Sequence, residues 1–256
     1  MNFKLADYIN ILVAFVEAGY NVVTISEFIE ERPENGKYVA LRHDVDRFPL
    51  NALHMMKAEQ LIGIRSTYYW RKKKHVYRPK MMRYFASKGF EIGYHYEDYS
   101  STADTQKAID SFSSNWKEFK NNYHSKTVCR HGSPLSTRDS LDLLKSFNYY
   151  DLGIVGDTNL DIDYNRTYYI TDNGLLWNDS KFNVRDKVSQ TSSEINELIN
   201  QDFINAIKSG VIPNMIHLNV HPDSFQKYSL FMYINYFVIT LKGYAKLCLK
   251  AMNWYK

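Results

Sequence analysis

Four short segments carry the side chains able to do chemistry: RHDVD at 42–46, GYHYED at 93–98, CRHGSP at 129–134 and MIHLNVHPD at 215–223. In an extended chain alternate side chains share a face, so Asp44 and Asp46 point the same way if the strand runs that far. Two carboxylates on one buried face are costly unless something positive sits between them. A divalent metal meets that need, with one carboxylate as ligand and the other as general base. Asp46 also stands just ahead of Pro49, where it is equally suited to cap a following helix. The same period of two pairs His95 with Glu97, both acceptable ligands for Zn, Fe or Mn. The plainer alternative there is a hydrogen-bonded strand-end histidine beside a solvated acid. In the third segment Gly132 and Pro134 make a tight turn, from which Arg130 or His131 can reach a carboxylate or a developing oxyanion; the alternative is a structural turn with a surface arginine. In the fourth, His217, Asn219 and His221 share a face, and His221, immediately before Pro222, is placed as a general acid. His217 lies deeper and reads as a satisfied core residue.

Such residues need a scaffold that ends several strands at one place. The sequence supplies one. Leu5, Tyr8, Ile9, Leu12, Val13 and Val16 recur at helical spacing, and Gly19 closes that helix. A short strand at Val22–Val23 and a helix opened by Thr24 and Glu27 follow. Strands are then expected at 38–44, 66–70, 90–95, 127–129, 152–154, 168–170 and 213–220. Helices are expected at 49–61, 79–88, 105–120 and 136–146, with a last one capped by Thr191 and Glu194 and running to Ser209. Strand and helix alternating at this rhythm predict an α/β fold with parallel strands. In such folds catalytic groups gather at the C-terminal ends of the strands, where all four segments lie.

The four segments, in this order, resemble the motifs of the polysaccharide deacetylase family, the NodB-type carbohydrate esterases. The resemblance spans roughly residues 38–225, and the wording RHDVDR, EIGYHYE and HGSPLS is closest to a little-characterised branch with cytosolic members. It implies an irregular (β/α) barrel of about seven parallel strands. It implies metal-dependent hydrolysis of an N-acetyl or similar acyl group on an amino sugar, in a cell-surface polysaccharide precursor or a lipid-linked sugar. By resemblance Asp44 is the base, Asp46 a metal ligand, His95 the first metal histidine, and His221 the acid that protonates the leaving amine. The second metal histidine of the family falls at Tyr99, so Glu97 is the expected substitute ligand. Arg130 resembles the arginine that orients the base, and Arg130, His131 and Ser133 are the expected substrate-binding residues. The implied cofactor is one divalent metal, Zn first, with Fe, Mn, Co or Ni compatible. A catalytically inactive sugar-binding or scaffold protein on the same fold is the alternative, and a hydrolase of another C–N bond, such as a cyclic imide, is a third.

Composition fits these readings. The 256 residues are 45% hydrophobic and 23% charged, enough for a sizeable core in one domain. A net charge of +4 gives no ground for a nucleic-acid partner. The basic run at 71–80 reads as a solvated loop or as a rim for a phosphate-bearing substrate. Two distant cysteines make neither a disulfide framework nor a zinc-finger pattern. The opening MNFKLADYIN has no leader pattern, so a cytoplasmic location is expected. Residues 1–36 read as an N-terminal helical extension and 226–256 as a C-terminal helix. Its apolar stretch at 228–241 is followed by Lys242, Lys246 and Lys250 on one face. That helix either packs on the barrel or makes a peripheral contact with the inner face of a membrane.

Overall fold

Eight parallel strands form a single sheet in the computed structural model of the chain, which describes residues 3–133, 136–172, 176–178 and 192–225. They are β1 (Asn21–Val23), β2 (Tyr38–Val45), β3 (Thr67–Trp70), β4 (Glu91–Tyr96), β5 (Thr127–Arg130), β6 (Gly156–Asp157), β7 (Tyr168–Thr171) and β8 (Met215–Val220). Seven run in the order β6-β5-β4-β3-β2-β8-β7 and curl into a half-barrel flanked by helices, the irregular (β/α) barrel expected from the sequence. The eighth, β1, pairs with the first residues of β2, Tyr38–Ala40, while β3 takes the last, Arg42–Val45. The opposite edge of β2 pairs with β8 from Tyr38 to His43. The 1–36 segment, expected as a helical extension, therefore gives a strand to the sheet as well as the helices α1 (Leu5–Glu17) and α2 (Ile25–Glu31).

The connecting helices are α3 (Pro49–Leu61), α4 (Pro79–Ser87), α5 (Thr105–Tyr123), α6 (Leu141–Lys145) and α7 (Ser193–Lys208). Alternation along β2 divides the core. Val39 and Leu41 join the large cluster with α1 and α7, and Val45 joins a second cluster with α4 and α5. Ala40 faces the barrel interior, in a third cluster with Tyr69, Cys129, Met215 and the apolar side of α2. Each fully buried Leu, Ile or Phe contributes about 1.5–3 kcal/mol. Gly93 has a specific reason to be glycine: a Cβ there would meet the Tyr69 ring at 2.2 Å. The missing side chain lets Tyr69, its neighbour on β3, lie across β4 and bond Thr127 Oγ1 at 2.6 Å.

Three expectations need correction. The strand expected at 152–154 is replaced by a 3₁₀ turn, Tyr149–Leu152, ended by Gly153 at φ 69°, and β6 begins only at Gly156. The Leu152 carbonyl is taken by Trp116 and Lys120 of α5, so it is not offered to a strand. The helix expected over 136–146 contracts to Leu141–Lys145, and the last helix is capped by Ser192, not Thr191. No helix among the described residues is long and apolar enough to cross a membrane. The expected C-terminal helix at 226–256 lies outside the described residues.

Candidate metal centre

β2 delivers Asp44 from its interior face and, one residue past its end, Asp46. Asp46 is not the cap of α3. Phe48 holds the cap position, and no side chain caps that end. Asp44 is buried and its carboxylate is held by the residue two before it on the same face: Arg42 Nε donates to Oδ1 at 2.8 Å and Nη2 to Oδ2 at 2.6 Å. Burial opposes the charge of Asp44, but Arg42, with His95 behind it, holds the carboxyl well below the usual range. Asn219 Nδ2 approaches Oδ2 at 3.4 Å.

His95, from β4, faces both acids. Its Nδ1 lies 3.1 Å from the Cys129 carbonyl, which accepts only from a protonated nitrogen. That bond fixes the ring with Nε2 directed at Asp46 Oδ1 (3.4 Å) and Asp44 Oδ2 (3.7 Å). His131, just past β5, brings its Nε2 to 3.7 Å from the same Asp46 oxygen, and the two imidazoles stand edge to face at 5.3 Å. Asp46 Oδ1 is buried and has no hydrogen-bond partner. Arg71 Nη1 comes no closer than 3.9 Å. Burial opposes the charge here too, yet His131, His95 and Arg71 hold the Asp46 carboxyl well below its ordinary range. A buried carboxylate oxygen ringed by polar groups just beyond bonding reach marks a place for an additional positive species. Atoms that share a tetrahedral divalent ion stand about 3.3–3.5 Å apart; His95 Nε2 and His131 Nε2 each stand near that distance from Asp46 Oδ1, at 3.4 and 3.7 Å.

A buried Asp44–His95–Cys129 group can also hold a metal ion, one atom from each lying within 4.8 Å of the others. Cys129 suits this less well than the histidines. Burial pushes its thiol up, and Sγ already donates to the Arg130 carbonyl.

His221 enters from the end of β8. Its Nδ1 meets Asp172 at 2.7 Å, and its Nε2 lies 3.8 Å from Asp44 Oδ2. Burial opposes protonation, but Asp172, then Asp44 and Asp46, push the imidazole up to about 10. Asp172 also accepts from the His221 backbone N–H, which fixes the ring's position as well as its charge.

Glu97 is separated from this group. The strand ends at Tyr96, the alternation stops with it, and the carboxylate is bound by Arg71 (Nη2 2.8 Å, Nε 3.2 Å) and approached by Lys73. It touches the centre indirectly, 3.4 Å from His131 Nδ1. Ser133, at φ 39°, places its Oγ 3.0 Å and its N–H 3.3 Å from the same nitrogen. Acceptor and donor thus both serve His131 Nδ1, and the occupant of the Nε2 side selects between the tautomers. Tyr99, where the resemblance would lead one to expect a second histidine, lies under the Arg138 guanidinium at 3.6 Å. Arg130 is committed to Asp139, so the arginine holding Asp44 is Arg42 and not Arg130. His217 is buried as expected, with Nδ1 2.7 Å from Tyr164 Oη, but it is only half satisfied, since its Nε2 has no hydrogen-bond partner.

Sequence reasoning missed Arg42 and Asp172. Arg42 was legible, since R-x-D on a strand puts both on one face. Asp172 is a lone acid past a strand end and carries no comparable signal. No protein-family model, curated protein or solved structure matches this chain.

Proposed function

We propose that the protein is a metal-dependent hydrolase that removes an acyl group, acetyl first among candidates, from the nitrogen of an amino sugar. The observation that carries the metal is Asp46 Oδ1, a buried oxygen without a partner, with the Nε2 atoms of His95 and His131 converging on it. Asp46, His95 and His131 would hold the ion, with His131 filling the role expected of Glu97. Glu97 then serves as acceptor for His131 Nδ1–H, the outer partner that fixes a ligating imidazole. The substrate class is supported by the resemblance of the four motifs to the deacetylase family.

A divalent cation bound there supplies a more acidic attacking water and polarisation of the acyl oxygen. Asp44 is the proton acceptor for that water. Arg42 fixes its carboxylate in plane and keeps it ionised. Water oxygen bonds to the acyl carbon, the C–N bond breaks, and the departing nitrogen takes the proton that His221 carries on Nε2. Asp172 keeps that proton in place until it is needed. Products are the free amine and a carboxylate. An amino-sugar precursor made in the cytoplasm, lipid-linked or free, is the substrate this reading predicts.

The test is metal content by elemental mass spectrometry, followed by acetate release from N-acetylated amino sugars. About one Zn, Fe, Mn, Co or Ni per chain should be found in the wild type and in Glu97→Gln. It should be lost in Asp46→Asn, His95→Ala and His131→Ala. A wild type that stays metal-free after reconstitution would overturn the reading and favour the inactive sugar-binding alternative.

A further inference from the structure

The chain between Asp46 and α3 is built at a conformational cost. Phe48 sits at φ 49°, ψ 62°, the left-handed region. A bulky aromatic is a rare occupant there, and such outliers gather where function holds them in place. No capping bond compensates: the Phe48 side chain makes no hydrogen bond to the helix end. Nor does burial, since the ring is 51% exposed and Leu50, two residues on, is 64% exposed.

This strained segment is tied to the other half of the site. Arg47 lies over the Phe48 ring at 5.6 Å and is ion-paired with Asp223, two residues beyond His221. Asn51 Nδ2 donates to the Pro222 carbonyl at 3.2 Å. One guanidinium therefore connects an exposed aromatic ring to the loop of the proposed acid, while the same short segment begins at the proposed ligand Asp46. Phe48 follows Asp46 by two residues, just past the C-terminal end of β2.

We infer that Phe48, flanked by Arg47 and Leu50, is a sugar-binding subsite: its exposed ring stacks on the apolar C–H face of a pyranose, and Arg47 hydrogen-bonds that ring's hydroxyls. A pyranose presents such a face together with a polar rim, matching an aromatic bordered by a guanidinium. The inference rests on the amino-sugar reading above. It adds the residue that orients the sugar and predicts a trade of stability for binding, because glycine would relax the backbone and remove the ring together.

The experiment is NMR titration of triacetylchitotriose into Zn-loaded protein, in an Asp44→Asn background so that turnover does not consume the probe. Phe48→Ala and Phe48→Gly should weaken binding about tenfold, and Phe48→Trp should bind within about twofold of the parent. Phe48→Gly should also melt a few degrees higher, on the order of 2–4 °C for a chain of this size. If the parent binds the trisaccharide and Phe48→Gly binds it equally well, the subsite is overturned and the amino-sugar reading stands. If the parent does not bind it, the amino-sugar reading falls and the subsite with it.

Discussion

Two carboxylates lie on opposite sides of β2, Glu59 wholly buried and Asp46 half-buried with one oxygen out of solvent, and their surroundings differ. On the helix side, Glu59 of α3 is fully buried. It accepts from Tyr8 at 2.7 Å, Tyr68 at 2.8 Å and Ser66 at 2.5 Å, and meets His43 Nε2 at 3.0 Å. On the barrel side, Asp46 Oδ1 is buried and bonded to nothing, with two imidazoles and a guanidinium held 3.4–3.9 Å away. The same chemical group is closed off in one place and left open in the other. A closed polar network fixes packing and has no capacity for a ligand. An open one, placed where strands end, has capacity to spare. The difference separates Glu59 from Asp46, where residue type alone does not.

Breaking the closed network should cost the most. Glu59→Ala leaves Tyr8, Tyr68 and Ser66 short of an acceptor and should lower stability by about 3–5 kcal/mol in urea unfolding. Metal content of the folded fraction should not change. A loss of metal at full stability would erase the distinction between the two acids.

The open centre should respond to ligand instead. Zn at a hundredfold excess over its Kd should stabilise the wild type by about 2.7 kcal/mol. Asp46→Asn should gain nothing, and an equal gain in both would place the ion elsewhere.

The His221–Asp172 pair sharpens the comparison by pH. His221 is raised from 6.5 to about 10, so the pair's contribution to stability is complete below about pH 6.5 and is lost as pH rises through about 10. The same sign holds for the proposed acid role: the alkaline limb of a kcat profile should move down by more than one unit in Asp172→Asn. A limb that stays put would remove Asp172 from the mechanism.

The smallest effect is expected at Cys129. Cys129→Ser should leave metal content and affinity within about twofold, whereas a loss comparable to His131→Ala would favour the Asp44–His95–Cys129 group.

Much of this was legible in the sequence because strand ends announce themselves. Alternation put Asp44 and Asp46 on one face and His221 at a strand end, the α/β rhythm implied a parallel sheet, and the barrel followed from the family resemblance. What escaped depended on where strands stop. Glu97 was matched to His95 by a period of two that ends at Tyr96. Residues 152–154 are apolar enough for a strand, but Gly153 and the donors of α5 turn the backbone away. His131 was read for the substrate because its approach to Asp46 is set by the turn after β5, and turns bring together what spacing does not.

The three pairings of β2 bear on how the molecule tolerates change. Held by β1 and β3 along one edge and β8 along the other, this strand has one permitted reading frame. A slip of a single residue would turn His43 into the barrel and Asp44 into the helix layer. Folding error and chemical error are then the same event, so insertions or deletions within 38–45 should never yield a folded but inactive protein. They should yield no folded protein at all.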